Sequence, residues 1–195
     1  MKKIIGFTFV LLGILLISYP LYQEWTQKKD VKALEEAFAL IKESDGGELD
    51  LTVIDHLPFS KEEIDHMLEL EIPSINLKQF VLDETTDENL KIALTQIKRE
   101  QTPGVGNFTI AGHRGYRDGR HFRHLAEVPI GEKVFLHADD TTYIYEVIGT
   151  DVIKATDVEV LNDTPGKNEI TLITCTATGI ERVAVKGLLQ DTVKN

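Results

Sequence analysis

Cysteine is nearly missing from this chain: among 195 residues there is one, Cys175. A lone thiol forms no internal disulfide, so it is either an inert core residue or a nucleophile. Its neighbours decide which, because a reactive thiol needs a base or cation that favours the thiolate. The scarcity leaves the compartment open, since it fits an exported protein that avoids disulfides as well as a cytosolic one. Basic charge is also scarce beyond the N-terminus. From Asp30 to Asn195, 17 Lys and Arg face 31 Asp and Glu, a net of −14. That removes the basic excess on which binding to nucleic acid or to an anionic leaflet draws. No internal repeat is present. With 42% apolar and 27% charged residues, the composition excludes a wholly disordered or fibrous chain. The length suffices for one domain plus appendages, with a core that needs no metal or disulfide.

What is present begins with Ile4 to Leu21, a run of large aliphatics and phenylalanines without charge, preceded by Lys2 and Lys3. About 20 helical residues span the roughly 30 Å of bilayer hydrocarbon, so the run is long enough to cross. A cleaved signal peptide would have a shorter apolar region and a small-x-small site after it. Here Ser18-Tyr19-Pro20-Leu21-Tyr22 follows, a poor site, and Tyr19, Tyr22 and Trp25 read as interfacial aromatics. An uncleaved anchor is the expectation. Lys28 and Lys29 balance Lys2 and Lys3 in the positive-inside count, so the acidity of the remainder is what favours a domain outside the cell.

Val31, Leu34, Ala37, Phe38 and Ile41 recur at helical spacing and predict a short amphipathic stalk, ended by Ser44-Asp45-Gly46-Gly47. Ser60-Lys61-Glu62-Glu63 has capping-box spacing, and Leu68 to Ile72 and Ile75 to Leu82 read as strands broken at Pro73. Thr86-Asp87-Glu88-Asn89 opens a helix carried by Leu90, Ala93, Leu94 and Ile97 and stopped by Thr102-Pro103-Gly104. Thereafter Phe108 to Ala111, Lys133 to His137, Tyr143 to Ile153, Ile170 to Thr174 and Val183 to Leu189 read as strands between turns. Seven or eight short strands with one or two helices predict a mostly β chain closed or partly closed into a barrel. The domain plan is a cytoplasmic tip and transmembrane signal anchor (1–25), a helical stalk and linker (26–49), and a folded domain (50–195).

Six histidines occur, and His113 alone sits where a catalytic base is expected, after Phe108-Thr109-Ile110-Ala111-Gly112, at the passage from strand to loop. A solvated loop histidine is the competing reading. Arg182 opens the alternating stretch Arg182-Val183-Ala184-Val185-Lys186, six residues after Cys175. It either marks a solvent face or starts a strand hairpinning back beside the thiol, where its fork of donors would hold an oxyanion.

Thr171-Leu172-Ile173-Thr174-Cys175 resembles the TLxTC signature of the sortases, with Ala111-Gly112-His113 and Arg182 as that family's histidine and arginine. Leu70-Glu71-Ile72-Pro73-Ser74-Ile75 is similar to its opening strand and Phe122-Arg123-His124-Leu125 to the segment after the histidine, so the likeness covers about residues 67 to 190. It implies an eight-stranded β-barrel on a membrane anchor, with the N-terminus cytoplasmic and the catalytic domain extracellular. It also implies a cysteine transpeptidase in which Cys175, His113 and Arg182 are catalytic and Thr174 supports them. The partners it implies are LPxTG-like sorting signals of secreted proteins and an amine of peptidoglycan or lipid II. The spelling looks class A-like, with class D open.

Some sortases bind calcium between acidic loops. Here the earlier loop, Lys98-Arg99-Glu100-Gln101, carries one acid and Asp163 is the later candidate, too few for an ion that takes six to eight oxygens. No cofactor is therefore expected. His121-x-x-His124 lacks a third metal ligand nearby. Arg114, Arg117, Arg120 and Arg123, with His121 and His124, form a basic segment, read either as a solvated surface or as a source of positive potential near Cys175 or toward acidic peptidoglycan groups. An L,D-transpeptidase would show a Ser-x-Gly-Cys-Arg run, and a papain-like hydrolase would place its histidine after the cysteine; neither fits. The alternative from another class is a catalytically silent, membrane-anchored peptide-binding or assembly domain.

Overall fold

The computed structural model describes residues 2–43, 67–115 and 121–194. The chain divides into two units, Met1–Ile64 and Asp65–Asn195. The linker glycines, the capping box at Ser60, Arg117 and Arg120 lie outside the described residues.

The first unit contains one helix, α1, Lys2–Glu43. The expected anchor and stalk are continuous, and its 42 residues at 1.5 Å rise give about 63 Å, twice the hydrocarbon thickness. It is the one helix among the described residues long and apolar enough to cross a membrane. Pro20 lies inside it and removes one backbone donor. Beyond the apolar run, Tyr22 packs on Trp25 and the Lys29 ammonium stands 4.0 Å over the Trp25 ring, an amphipathic belt of the kind that sits at headgroup level. Ion pairs Lys28–Glu24 and Lys32–Glu36 follow at helical spacing.

The second unit is a closed barrel of eight strands in the order β1-β2-β3-β4-β7-β8-β6-β5. They are β1 Leu68–Ile72, β2 Leu77–Leu82, β3 Leu94–Gln96, β4 Asn107–Ala111, β5 Lys133–Ala138, β6 Thr141–Lys154, β7 Glu169–Cys175 and β8 Glu181–Lys194. The pairs β2–β3 and β4–β7 are parallel and the rest antiparallel. Strand β2 starts two residues later than expected, because Pro73–Ile75 forms a 3₁₀ turn closed by the Asn76 amide donating to the Pro73 carbonyl at 3.0 Å. Asn76 takes the left-handed φ of 50° that this reversal needs and that asparagine tolerates.

The helix expected to run through Ile97 is much shorter. It is α2, Asp87–Ile92, capped by Thr86 accepting from the Asn89 amide. Ala93 is extended, and Leu94 and Thr95 pair with Val81 and Leu82 on one side while Thr95 and Gln96 pair with Ala111 and Ile110 on the other. The fully buried Leu94 gains more from filling the seam between β2 and β4 than another helical turn would supply. Tertiary pairing thus overrides a weak local preference.

Leu70, Phe108, Phe122, Leu136, Tyr145 and Leu172 anchor the interior. The Tyr145 hydroxyl accepts from the Gly104 amide at 3.0 Å, and burial pushes its pKa up to about 12. The β6–β7 connection is strapped onto the outer face of β4. Asn107 Nδ2 donates to the carbonyls of Val160 and Asn162, its amide donates to Asp163, and its Oδ1 accepts from the Thr171 hydroxyl at 2.7 Å. Asp163 also takes the Lys98 ammonium at 3.0 Å. The Asn107 amide first, and Lys98 second, hold the Asp163 carboxyl below its usual pKa.

A depressed folded-state pKa stabilises the fold above the carboxyl's unfolded pKa, and this is lost as pH falls through the folded value. Asp163→Asn should therefore lower the Tm slightly at pH 7, and the gap to wild type should close in acid, below the ordinary carboxylate range. Thermal unfolding of both proteins across pH measures this. The exposed position of Asp163 keeps the effect small and salt-sensitive.

Candidate active site

Strand β7 carries the thiol. Ile170 and Leu172 belong to the core, so alternation turns Thr174 inward and sends Thr171, Ile173 and Cys175 to the outer face. Cys175, the last residue of β7, is half-buried. Its register partner across the antiparallel β7–β8 ladder is Arg182. Directly opposed residues stand about 4.5 to 5.5 Å apart at Cα with side chains on one face, so thiol and guanidinium share the same outer rim. The Arg182 Nη1 donates to the Gly179 and Glu181 carbonyls at 3.2 and 3.1 Å, which fastens the arginine to the β7–β8 turn through that nitrogen and not through Nε or Nη2.

On the other edge of β7, β4 runs parallel, with Ala111 opposite Ile173. His113 follows two residues later and is exposed. Three bonds fix its backbone: the Gly112 amide donates to the Ile173 carbonyl at 3.1 Å, the Thr174 hydroxyl donates to the Gly112 carbonyl at 2.8 Å, and the His113 carbonyl accepts from the Phe122 amide at 2.9 Å. Gly112 is required by packing. A Cβ there would lie 2.5 Å from Leu94 Cδ2 and 2.8 Å from Phe122 Cδ2.

The four residues singled out by sequence therefore gather at the C-terminal ends of two parallel neighbours and the start of the next strand. Thr174 acts from inside the barrel, on the peptide that carries the histidine. Two further residues stand here, His121 beside His113 and Gln79 in support of His121. The His121 ring stands edge-on to His113, with centroids 6.1 Å apart and planes at 80°, and the His121 amide donates to the Gln79 side chain at 2.9 Å. The sequence shows His121 only as a member of the basic segment and of the His121-x-x-His124 pair, and Gln79 gives no signal. His124 pairs with Glu127 at 2.9 Å rather than joining His121. Among the described residues no group of three His, Cys, Asp or Glu side chains could hold a metal. Arg123 donates to the Gly115 carbonyl at 3.4 Å, helping to order the start of the basic segment.

A sortase domain model matches residues 70–190. The chain belongs to the sortase family. It is similar to sortase A of Bacillus anthracis, with 29% identity over 185 residues, 89% of this chain and 86% of that protein. The crystal structure of Listeria monocytogenes sortase A superposes with a TM-score of 0.63 at 30% identity, over 67% of this chain and 91% of that one. The Clostridium perfringens sortase D5 transpeptidase shares the fold, with a TM-score of 0.64 at 24% identity over 84% of this chain and 99% of that one. The protein is accordingly a sortase-family transpeptidase on an eight-stranded barrel, with an N-terminal helix suited to anchoring it in a membrane.

The buried Thr174 hydroxyl gives a direct test of how this sortase holds its histidine. Thr174→Val keeps the shape and leaves the Gly112 carbonyl without that donor, at a cost of about 1–3 kcal/mol. Urea denaturation should show that loss, and peptide cleavage by the folded variant should fall as the strand end carrying His113 loosens.

Proposed function

We propose that Cys175 is the nucleophile of a two-step acyl transfer on an LPxTG-like sorting signal near the C-terminus of secreted proteins. The observation that supports this most is the register of β7, which pairs Cys175 with Arg182 on one edge and sets the β4 end, with His113 just beyond it, on the other. Nucleophile and cation then face each other across the β7–β8 ladder, and the proton carrier follows the end of β4, where backbone bonds fix its main chain.

In the first step the Cys175 thiolate attacks the carbonyl carbon of the motif's threonine. Arg182 donates to the oxygen that gains charge, through the nitrogens not held by its own turn. The C–N bond to the following residue breaks, His113 gives a proton to the departing amine, and a thioester remains. In the second step an amine of peptidoglycan or lipid II attacks that thioester. His113 takes its proton, the new amide forms and the thiolate returns. General acid and base work of this kind contributes about 10² to 10⁴ in rate. Dividing amide exchange through a thioester replaces one hard step with two easier ones.

The helix α1 fits an anchor with its N-terminus in the cytoplasm and the barrel outside the cell, where both substrates meet. Thr174 acts as a support by fixing the Gly112 carbonyl. The residues at the place where some sortases bind calcium offer an ion pair, Lys98–Asp163, rather than a cluster of free carboxylates. Catalysis without a metal is the reading this favours.

The test uses the full-length chain in detergent with quenched LPxTG, LPxTA and related peptides and an added amine. Wild type should cleave at least one peptide and join it to the amine, with a thioester on Cys175 in the intact mass. Cys175→Ala should abolish both. Arg182→Ala should slow the reaction about 10²- to 10³-fold, the scale for loss of an oxyanion donor. Equal cleavage by Cys175→Ala, or none of any peptide by wild type, would sink the proposal.

A further inference from the structure

His113 is exposed, and the three bonds that fix it act on its backbone and on that of Gly112. Nothing in those bonds sets the rotation of its imidazole. An exposed ring with two free torsions samples several rotamers, whereas proton transfer needs one nitrogen aimed at the reacting amine. The feature that meets the ring is His121. It is 8% exposed, and its imidazole stands against that of His113 with centroids 6.1 Å apart and planes at 80°. That is the edge-to-face arrangement aromatic rings prefer, within their usual 4.5 to 7 Å range.

The position of His121 is itself held by costly local structure. Its φ is 53°, in the left-handed region that few side chains adopt and that histidine tolerates better than most. Its amide is taken up by the Gln79 side chain from β2 at 2.9 Å. The next residue, Phe122, is fully buried, and its amide donates to the His113 carbonyl at 2.9 Å. Residue 121 thus faces residue 113 while holding an unfavourable backbone conformation. Such a conformation persists where the surroundings over-determine it, commonly at functional sites.

We infer that His121 is a positioning residue for His113: its buried ring forms a wall that fixes the plane of the His113 imidazole for proton transfer. The inference rests on the catalytic reading of His113 above and adds a residue to it. It predicts that the ring of His121 matters and that its hydrogen-bonding nitrogens do not. Asparagine accepts the same left-handed φ without supplying a ring, and phenylalanine supplies the ring without the nitrogens.

With the full-length chain in detergent and the quenched LPxTG-type peptide that wild type cleaves, His121→Asn should lower kcat about 10- to 100-fold, the scale of a misplaced catalytic group. KM for the peptide should stay within about twofold, because His121 orients the proton carrier and not the substrate. His121→Phe should recover most of kcat. Circular dichroism shows which variants are folded, and should the phenylalanine variant not fold, the asparagine variant decides alone. Unchanged kcat in His121→Asn, or a folded His121→Phe no faster than His121→Asn, overturns the inference. His113→Ala, measured alongside, separates the two levels. If it retains activity, the catalytic reading itself fails; if it is inactive while His121→Asn is normal, only the role of His121 falls.

Discussion

Strand β7 is hydrogen-bonded along both edges, parallel to β4 and antiparallel to β8, and the orientation of everything at the site follows from that double register. The side-chain period of a strand is two, so a slip of one residue would turn Cys175 into the barrel and bring Thr174 to the outer rim. Two apolar side chains prevent the slip. Ile170 and Leu172 are buried in the core, and exposing both would forfeit about 1.5 to 3 kcal/mol for each. Gly187, opposite Ile170, makes room for that side chain, since a Cβ there would lie 2.9 Å from Ile170 Cγ2. The rim that carries Cys175 and Arg182 is thus positioned by packing on the opposite face of the same strand.

The outer face of the sheet is built differently. Thr109 and Thr171 are fully buried although they point away from the core, because polar neighbours cover them. Gln101 accepts from the Thr109 amide and hydroxyl and donates to its carbonyl. Thr171 donates to Asn107, which in turn holds two carbonyls of the β6–β7 connection. Buried polar groups with partners specify one geometry, since any displacement leaves several unsatisfied at once. The connection that passes over the outer face is therefore placed by directional bonds, while the strands beneath it are placed by apolar burial.

Much of this was legible in the sequence, for identifiable reasons. Strand β1 and the positions of β4, β5, β7 and β8 followed from runs of β-branched and aromatic residues between turn signals, and the six-residue spacing from Cys175 to Arg182 suggested a hairpin. Strand β3 was not legible, because Leu94 and Ile97 also satisfy a helical period and only their partners on β2 and β4 decide between the two. The continuity of α1 was hidden by Pro20 and by the change from apolar to charged composition. The contact between Gln79 and His121 joins residues 42 apart in sequence and leaves no trace in local pattern. Nor does the bond from Thr174 to the Gly112 carbonyl, which crosses between strands 62 residues apart.

Closure of the barrel has a bearing on how a peptide is read. Strand β1 pairs with both β2 and β5, and no member of the ring presents a wholly unpaired edge. Where a strand is paired on both sides a ligand cannot join it by strand addition, the mode in which backbone bonds give affinity with little regard to side chains. The short β2–β3 and β3–β4 ladders, two residue pairs each, leave edge uncovered. Along β7 and β8, each paired on both sides, recognition would fall instead to the side chains on the outer wall and to the segments strapped across it. Selectivity can then change through a few substitutions in those segments, while the ladder that aligns the thiol stays as it is.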